Sequence, residues 1–257
     1  MNSQSQRPNN GYLAVASRTK PFYYSAINLL ESIKDWYPEA QTCLVVDKDL
    51  ADDRVKNIDH VIYTEKQNMY RAKLWGMSKT PFDKTFYIDA DMECVHEDIE
   101  FVFDELKDCD LMFQELKQER DKVFKNRYFP AGAFRLNGGA CLYNSANPKV
   151  IDFLSRWYEL FNLQHSKQWW PRDEKGNIDN YTYGPQEEMR HWDQFTLWWL
   201  TNKEEEWKDL KVGIFEDDLR WNYFTSFQRF SLVPKKPPVL LHYSSAMSKD
   251  HDIYKPS

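Results

Sequence analysis

Two aspartates separated by one small residue follow a run of strand-forming residues. The run Phe86-Tyr87-Ile88 leads directly into Asp89, Ala90 and Asp91. In an extended chain alternate side chains share a face, so Asp89 and Asp91 are expected to point at one site while Ala90 leaves room for the backbone. Carboxylate oxygens are the ligands that hard cations such as Mg²⁺ and Mn²⁺ prefer. The pattern predicts a divalent metal site, and its alternative is a solvated aspartate turn.

Two later segments carry further candidates. Asn137, Gly138 and Gly139 precede an apolar stretch that ends at Asn144, and a short apolar run ends on His242. Glycines allow a backbone to approach a bound group closely, although they also occur in ordinary tight turns. A histidine at the end of a strand is either a structural residue or a metal ligand. Alone, neither segment decides between its two interpretations.

Polar residues on two predicted helices are also candidates. Asp193 and Gln194 open the otherwise apolar stretch 195–200, where the carboxylate is either a simple helix cap or part of a site. Lys73 is either a contact to phosphate or sugar, as a compact charge on a flexible stem, or a solvated helix lysine.

Composition limits the class of protein. The 257 residues include 34 basic and 40 acidic side chains, a net charge of −6, which argues against a general nucleic-acid binder. Residues 1–10 are polar, and no apolar run approaches the roughly 20 residues needed to span a bilayer, so we expect a cytoplasmic protein without a transmembrane segment. The four cysteines lack C-x-x-C spacing and are expected to be reduced.

Apolar runs of strand length alternate with amphipathic segments of helical period, which predicts an α/β fold. The expected strands are 12–16, 42–46, 61–63, 85–88, 212–215 and 239–242, and the expected helices are 22–36, 69–78 and one that begins at Pro148. We expect residues 1–10 to be disordered and 11–257 to form one domain, with a nucleotide-binding half at about 11–115 and an acceptor half at about 116–250. Within the acceptor half, residues 164–190 predict a long functional loop. Its aromatic residues either contact an acceptor or pack against the core: Trp169, Trp170, Tyr181 and Tyr183.

Taken in order, these segments resemble the nucleotide-sugar transferases of the GT-A fold. The resemblance is closest to the glycogenin-like and bacterial lipopolysaccharide galactosyltransferase-like family, and it extends from about Tyr12 to Lys249. It implies a Rossmann-like mixed sheet flanked by helices. The matching segments are Lys73-Leu74, Asp89 to Asp91, a helix over 98–106, Asn137 to Gly139, Asp193-Gln194 and His242.

The resemblance implies a hexosyltransferase with a metal site. Asp91 and His242 would be direct ligands of Mn²⁺ or Mg²⁺ against the diphosphate of a nucleotide sugar, with a UDP-sugar as the favoured donor. Asp89 would either act as a metal ligand or bind the ribose as well as the metal. The acceptor would be a saccharide or another hydroxyl compound. Asp193 and Gln194 would lie beside the anomeric carbon of a retaining enzyme.

The resemblance also implies which residues contact the nucleotide. The first strand would border the base through Ala14 and Ser17, Asp47 would bond to uracil or ribose, and Ala90 would lie beside the nucleotide. Related chains carry a glycine and then Lys-Pro-Trp after the final histidine. Here Ser245 takes the place of the glycine and Lys249 is the nearby lysine, which makes it the candidate for a phosphate contact.

Two other functions fit the same pattern. A sugar-phosphate nucleotidyltransferase has a similar fold and acidic metal ligands, but it normally begins with a glycine-rich phosphate loop, and residues 12–21 contain no glycine. A non-catalytic carbohydrate-binding protein could keep the fold and the ligands without turnover.

Overall fold

The structure is a computed structural model, and it describes residues 9–64, 71–115, 135–166, 193–225 and 234–243. The predictions for Lys249, for the acceptor-binding aromatic residues of 167–190 and for residues 1–8 lie outside these ranges. Within the ranges, no helix combines the length and the apolar character that crossing a membrane requires.

A seven-stranded sheet forms the centre, in the order β3-β2-β1-β4-β7-β6-β8. Strands β3, β2, β1 and β4 are parallel neighbours, β7 runs antiparallel to both β4 and β6, and β8 is parallel to β6. The strands are β1 (Asn10–Ala16), β2 (Thr42–Val46), β3 (His60–Tyr63), β4 (Lys84–Ile88), β6 (Leu111–Glu115), β7 (Leu136–Asn144) and β8 (Val212–Ile214).

A second sheet of three short strands lies at the carboxyl end of β4. It has the order β5-β10-β9, with β5 (Met92–Cys94), β9 (Tyr223–Phe224) and β10 (Leu240–His242). Strand β10 is antiparallel to β5, and His242 is paired with Met92 in the register. This pairing brings the late histidine to the acidic segment.

Helices cover both faces of the large sheet, as expected where parallel strands are buried. They are α1 (Lys20–Trp36), α2 (Ala72–Met77), α3 (Pro148–His165), α4 (Asp193–Lys203) and α5 (Asp218–Trp221). Alternate residues of β1 pack on opposite faces: Ala14 joins the core cluster that contains α1, whereas Val15 joins the cluster of α2, α3 and α4. The Asn147 side chain accepts a hydrogen bond from Lys149 N and Pro148 occupies the first turn, as the sequence predicts for the start of α3.

Several boundaries differ from the predictions. The helix predicted over 98–106 is a 3₁₀ helix, Glu97–Leu106, and α3 continues through His165, past the predicted start of the long loop. Asn9 and Asn10, predicted to belong to a disordered segment, have a defined structure: Asn10 begins β1, and Asn9 O accepts a hydrogen bond from Lys84 N. All four cysteines are free. Since β7 lies between β4 and β6, the two predicted halves share one sheet.

Candidate active site

Asp89 and Asp91 meet through a turn. The backbone N–H of Met92 donates to Asp89 O at 3.2 Å, which closes a four-residue turn between β4 and β5. Asp89 N donates to Gly139 O at 2.7 Å, so the turn is fixed to β7. The two carboxylates therefore converge as predicted. A turn brings them together, and not the extended chain that the sequence predicted.

His242 completes a three-residue cluster. One ligand atom from each of Asp89, Asp91 and His242 lies within 4.8 Å of the others. His242 Nε2 is 3.2 Å from Asp91 Oδ1, and Tyr243 N donates to Asp91 O at 2.9 Å. Burial raises the pKa of Asp91, but the hydrogen bond and charge of His242 outweigh burial and hold that pKa below its ordinary value. Two carboxylates and an imidazole suit Mn²⁺ and Mg²⁺, so the residues present fit the expected metal.

Lys73 lies between the cluster of Asp89, Asp91 and His242 and the helix α4. Its Nζ donates to Asp89 Oδ1 at 3.1 Å and to Gly138 O at 3.4 Å, and it is 3.2 Å from Asp193 Oδ2. Burial lowers the pKa of Lys73, but Asp193 and Asp89 outweigh it and raise the pKa above its ordinary value. The side chain is only 13% exposed. Lys73 is thus a buried cation, and the interpretation as a solvated helix lysine is wrong.

Asp193 is buried at the start of α4, and the structure brings it to the cluster through Lys73. Its Oδ1 also lies 3.9 Å from Arg71 NH2. Burial raises the pKa of Asp193, and Lys73 and Arg71 together outweigh burial, so the carboxylate is held ionised. Its carbonyl oxygen accepts from Trp157 Nε1 at 2.9 Å, which ties the start of α4 to α3. Gln194 is half-buried beside it.

The Asn137 to Gly139 segment belongs to β7 and does not form a tight turn. Gly139 N donates to Asn137 Oδ1 at 2.6 Å. A Cβ on Gly139 would lie 2.8 Å from Asn137 Oδ1, 3.0 Å from Asp89 Oδ2 and 3.2 Å from the amide nitrogen of Asn222. The missing side chain therefore lets three polar groups converge beside the metal cluster. A Cβ on Gly138 would instead meet the Trp157 ring at 3.0 Å.

Asp47 holds the connection after β1. Its carboxylate accepts hydrogen bonds from Ser17 Oγ at 2.8 Å, Arg18 N at 2.9 Å and Thr64 Oγ1 at 2.7 Å. Arg18 has a φ of 77°, a backbone conformation that is unfavourable for most residues other than glycine. The hydrogen bond from its N–H to Asp47 stabilises that conformation. A contact from Asp47 to a nucleotide stays a prediction. The structure shows the residue shaping the wall on which such a contact would occur.

A cleft of about 450 Å³ opens along these groups at the carboxyl ends of β1 and β4. Val15, Ser17, Arg18 and Phe22 line one end, and Lys73, Asp89, Ala90 and Asp91 line the other. This is the position where open α/β sheets bind ligands. Ala14 does not line the cleft, because it faces the α1 side of the sheet.

Sequence reasoning missed four residues at the site. Phe22 and Arg71 line the cleft, Tyr87 donates a hydrogen bond from its hydroxyl to Asp89, and Asn222 contacts His242. Tyr87 could have been found, because it lies only two residues before Asp89, near the end of β4. Asn222 carries no such signal, since the fold alone brings it to the histidine.

Comparison with known proteins identifies structural relatives. No protein-family model and no curated protein sequence matches the chain. Among solved structures, the galactosyltransferase LgtC in complex with donor and acceptor sugar analogues is 15% identical, with a TM-score of 0.55 over 91% of this chain and 87% of LgtC. The glycosyltransferase GlyE of Streptococcus pneumoniae TIGR4 is 13% identical, with a TM-score of 0.57 over 92% of this chain and 55% of GlyE. Mouse xyloside xylosyltransferase 1, in its apo form, is 13% identical, with a TM-score of 0.53 over 93% of this chain and 99% of that protein.

The chain has the GT-A fold. This confirms the mixed sheet flanked by helices that the resemblance implied. Within the GT-A cleft, the structure brings together Asp89, Asp91, His242, Lys73 and Asp193 from positions that are distant in the sequence.

Proposed function

We propose that this protein is a metal-dependent glycosyltransferase that moves a sugar from a nucleotide sugar, with UDP as the favoured nucleotide, to a hydroxyl acceptor. The observation that carries the proposal is the cluster of Asp89, Asp91 and His242 at one end of a GT-A cleft, with the Lys73–Asp193 ion pair beside it. The structural neighbours support it, since they are glycosyltransferases.

The proposed cofactor is Mn²⁺ or Mg²⁺, held by Asp89, Asp91 and His242. When bound, the ion would neutralise the charge that grows on the diphosphate as the glycosidic C–O bond breaks. The protein contributes the fixed positions of the ligands: Tyr87 and Lys73 both donate to Asp89, and Tyr243 N holds the Asp91 backbone.

Lys73 and Asp193 extend the proposed chemistry from the phosphates to the sugar. Lys73 is protonated and lies between two carboxylates, so it holds Asp89 and Asp193 close together in spite of their like charge. We place Asp193 and Gln194 at the anomeric carbon, where a carboxylate or an amide oxygen stabilises an oxocarbenium-like transition state.

Retention of configuration is proposed on the same grounds. A protein oxygen that attacks the anomeric carbon from the face opposite the leaving group, or blocks that face, leaves the acceptor to attack from the leaving-group face, which gives a retained product. The anomers formed from a turned-over UDP-sugar can be distinguished by proton NMR. An inverted product would remove Asp193 and Gln194 from the proposed role while leaving the metal site in place.

The test of the function is donor hydrolysis. Wild-type protein with Mn²⁺ is expected to hydrolyse a UDP-sugar slowly without an acceptor and faster with one. A nucleotidyltransferase would instead require a sugar phosphate, and a non-catalytic carbohydrate-binding protein would release no UDP. The connection between β1 and α1 contains no glycine, which disfavours the nucleotidyltransferase.

Phe22→Ala is expected to weaken UDP binding about tenfold. Phe22 is 49% exposed at the rim of the cleft, in the first turn of α1, and an exposed ring there can stack on a base. Base–aromatic stacking contributes about 1 to 3 kcal/mol per base. Phe101→Ala is the matched control, because Phe101 is 51% exposed and does not line the cleft. Calorimetry showing equal UDP affinity in the two variants would place the base elsewhere.

Gly139→Ala is expected to weaken Mn²⁺ binding by at least about tenfold, the effect typical of disturbing the groups around metal ligands. The added methyl would press on Asp89 Oδ2 and Asn137 Oδ1, which leave it no room. Calorimetric titration with Mn²⁺ measures the change. Gly213→Ala, on β8, is the control, since the added Cβ would also be crowded, lying 2.7 Å from Cys109 Sγ. Similar Mn²⁺ affinity in both variants would show that the close packing around Gly139 has no bearing on the metal.

A further inference from the structure

Asn222 connects the metal cluster to the glycine segment of β7. It is fully buried directly after α5. Its Oδ1 lies 2.8 Å from His242 Nδ1, and its Nδ2 donates to Asn137 Oδ1 at 3.4 Å. Its carbonyl oxygen accepts from Gln114 Nε2 at 2.7 Å, which holds its backbone in place.

The orientation of both amides follows from one donor whose identity is certain. The backbone N–H of Gly139 can only donate, so the Asn137 atom 2.6 Å away is the oxygen. That oxygen then accepts from the Asn222 amide nitrogen, which leaves the Asn222 oxygen facing His242. An amide oxygen only accepts, so Nδ1 of His242 must carry the hydrogen.

The tautomer has a consequence for the other ring nitrogen. With the hydrogen on Nδ1, the neutral ring presents the lone pair of Nε2 towards Asp91 Oδ1, 3.2 Å away, whereas the charged ring, which lowers the pKa of Asp91, donates from Nε2 to the same oxygen. Two acceptors at that distance repel each other unless a cation lies between or beside them. The Phe224 ring stacks on His242 with centroids 4.0 Å apart, which restricts the plane of the imidazole but does not choose its tautomer.

We propose that Asn222 is a positioning residue that fixes the Nδ1–H tautomer of His242 and thereby prepares Nε2 as a metal ligand. Metal-binding histidines commonly donate their second ring N–H to a neighbouring acceptor, which sets the ring orientation and raises ligand basicity. The part of the proposal that concerns the metal rests on the proposed function. The tautomer itself does not.

The decisive measurement is ¹⁵N NMR of the His242 ring in metal-free protein, well above the ordinary imidazole pKa of about 6.5. Wild type is expected to show Nδ1–H. Asn222→Leu removes the acceptor and should shift the ring towards Nε2–H, whereas Asn222→Asp keeps an acceptor and should retain Nδ1–H. Thr85→Val is the control for lost buried polar contacts, because its hydroxyl bonds to Thr80 and Ser145 and not to the three proposed ligands. An Nε2–H ring in wild type or in folded Asn222→Asp would overturn the proposal, as would an unchanged ring in Asn222→Leu.

Mn²⁺ binding, followed by electron paramagnetic resonance, gives the second readout. Asn222→Leu should bind Mn²⁺ at least about tenfold more weakly than wild type, while Thr85→Val should match wild type. Equal Mn²⁺ affinity in Asn222→Leu and wild type would overturn the proposal that Asn222 prepares Nε2 of His242 as a metal ligand. Absence of Mn²⁺ binding to wild type would instead contradict the proposed function, and the ring tautomer would still decide the role of Asn222. Should Asn222→Leu not fold, the wild-type and Asn222→Asp spectra suffice for that decision.

Discussion

Asp91→Asn is expected to abolish the effect of Mn²⁺ on UDP binding and to lower turnover by at least about a hundredfold. Asp91 contributes a carboxylate oxygen within reach of both His242 and Asp89, and an amide is a much weaker ligand. Charge neutralisation by a metal is worth several kcal/mol in a transition state, and each 1.36 kcal/mol is about tenfold in rate. Calorimetric titration of UDP with and without Mn²⁺ measures the first effect, and single-turnover assays measure the second.

Glu93→Gln is the matched control for Asp91. Glu93 lies two residues further along the chain, on β5, and its side chain accepts from the Tyr243 hydroxyl outside the metal cluster. The variant therefore removes one nearby negative charge and leaves the ligands intact. If Mn²⁺ still tightened UDP binding tenfold in Asp91→Asn, equivalent to about 1.4 kcal/mol, the assignment of the site would be wrong.

Asp193→Asn is expected to lose both stability and turnover. Removing one partner of a buried ion pair costs about 3 to 5 kcal/mol because the other charge stays buried. We expect the lower end, since Lys73 keeps its bonds to Asp89. The pKa of Asp193 is lowered in the folded state, so its contribution to stability is present above about pH 4 and is lost as the pH falls through the folded pKa. Urea unfolding should therefore show wild type and variant converging in acid.

A second ion pair, between Arg156 and Glu204, provides a control that separates an effect on stability from an effect on catalysis. Glu204 accepts from Arg156 NH2 at 3.1 Å and from Trp207 Nε1 at 3.0 Å, and it belongs to the region packed on α3. Glu204→Gln should lower stability without a specific effect on turnover measured below the unfolding range. Wild-type turnover in Asp193→Asn under the same conditions would reduce Asp193 to a structural residue.

Strands β1, β2 and β4 of the large sheet were predictable because each is a short apolar run, whereas β6 and β7 were not predicted as strands. The apolar runs of β1, β2 and β4 appear where the sequence predicts them, with boundaries displaced by two residues or fewer. The 3₁₀ geometry of residues 97–106 was not predictable, because an apolar stripe on a short segment is compatible with either helix type.

The parts of the site that depend on residue type alone could be predicted from the sequence. Asp89, Asp91 and His242 were named from the strand ends and from the family resemblance, and the structure places them together. Their convergence through a turn and the partner of His242 depend on long-range packing. Asn222 reaches the histidine through the parallel pairing of β9 with β10, which no local pattern predicts.

The place of His242 on β10 links metal binding to folding. Asp91 and Asp89 lie in the first half of the chain, next to β5. His242 lies on the late strand β10 and reaches them only when β10 pairs with β5. An ion bound by all three residues would favour the docked strand over the undocked strand by RT ln(1 + [M]/Kd). Metal concentration would then set how firmly β10 is held, and chelation would loosen β10 before it affected the large sheet.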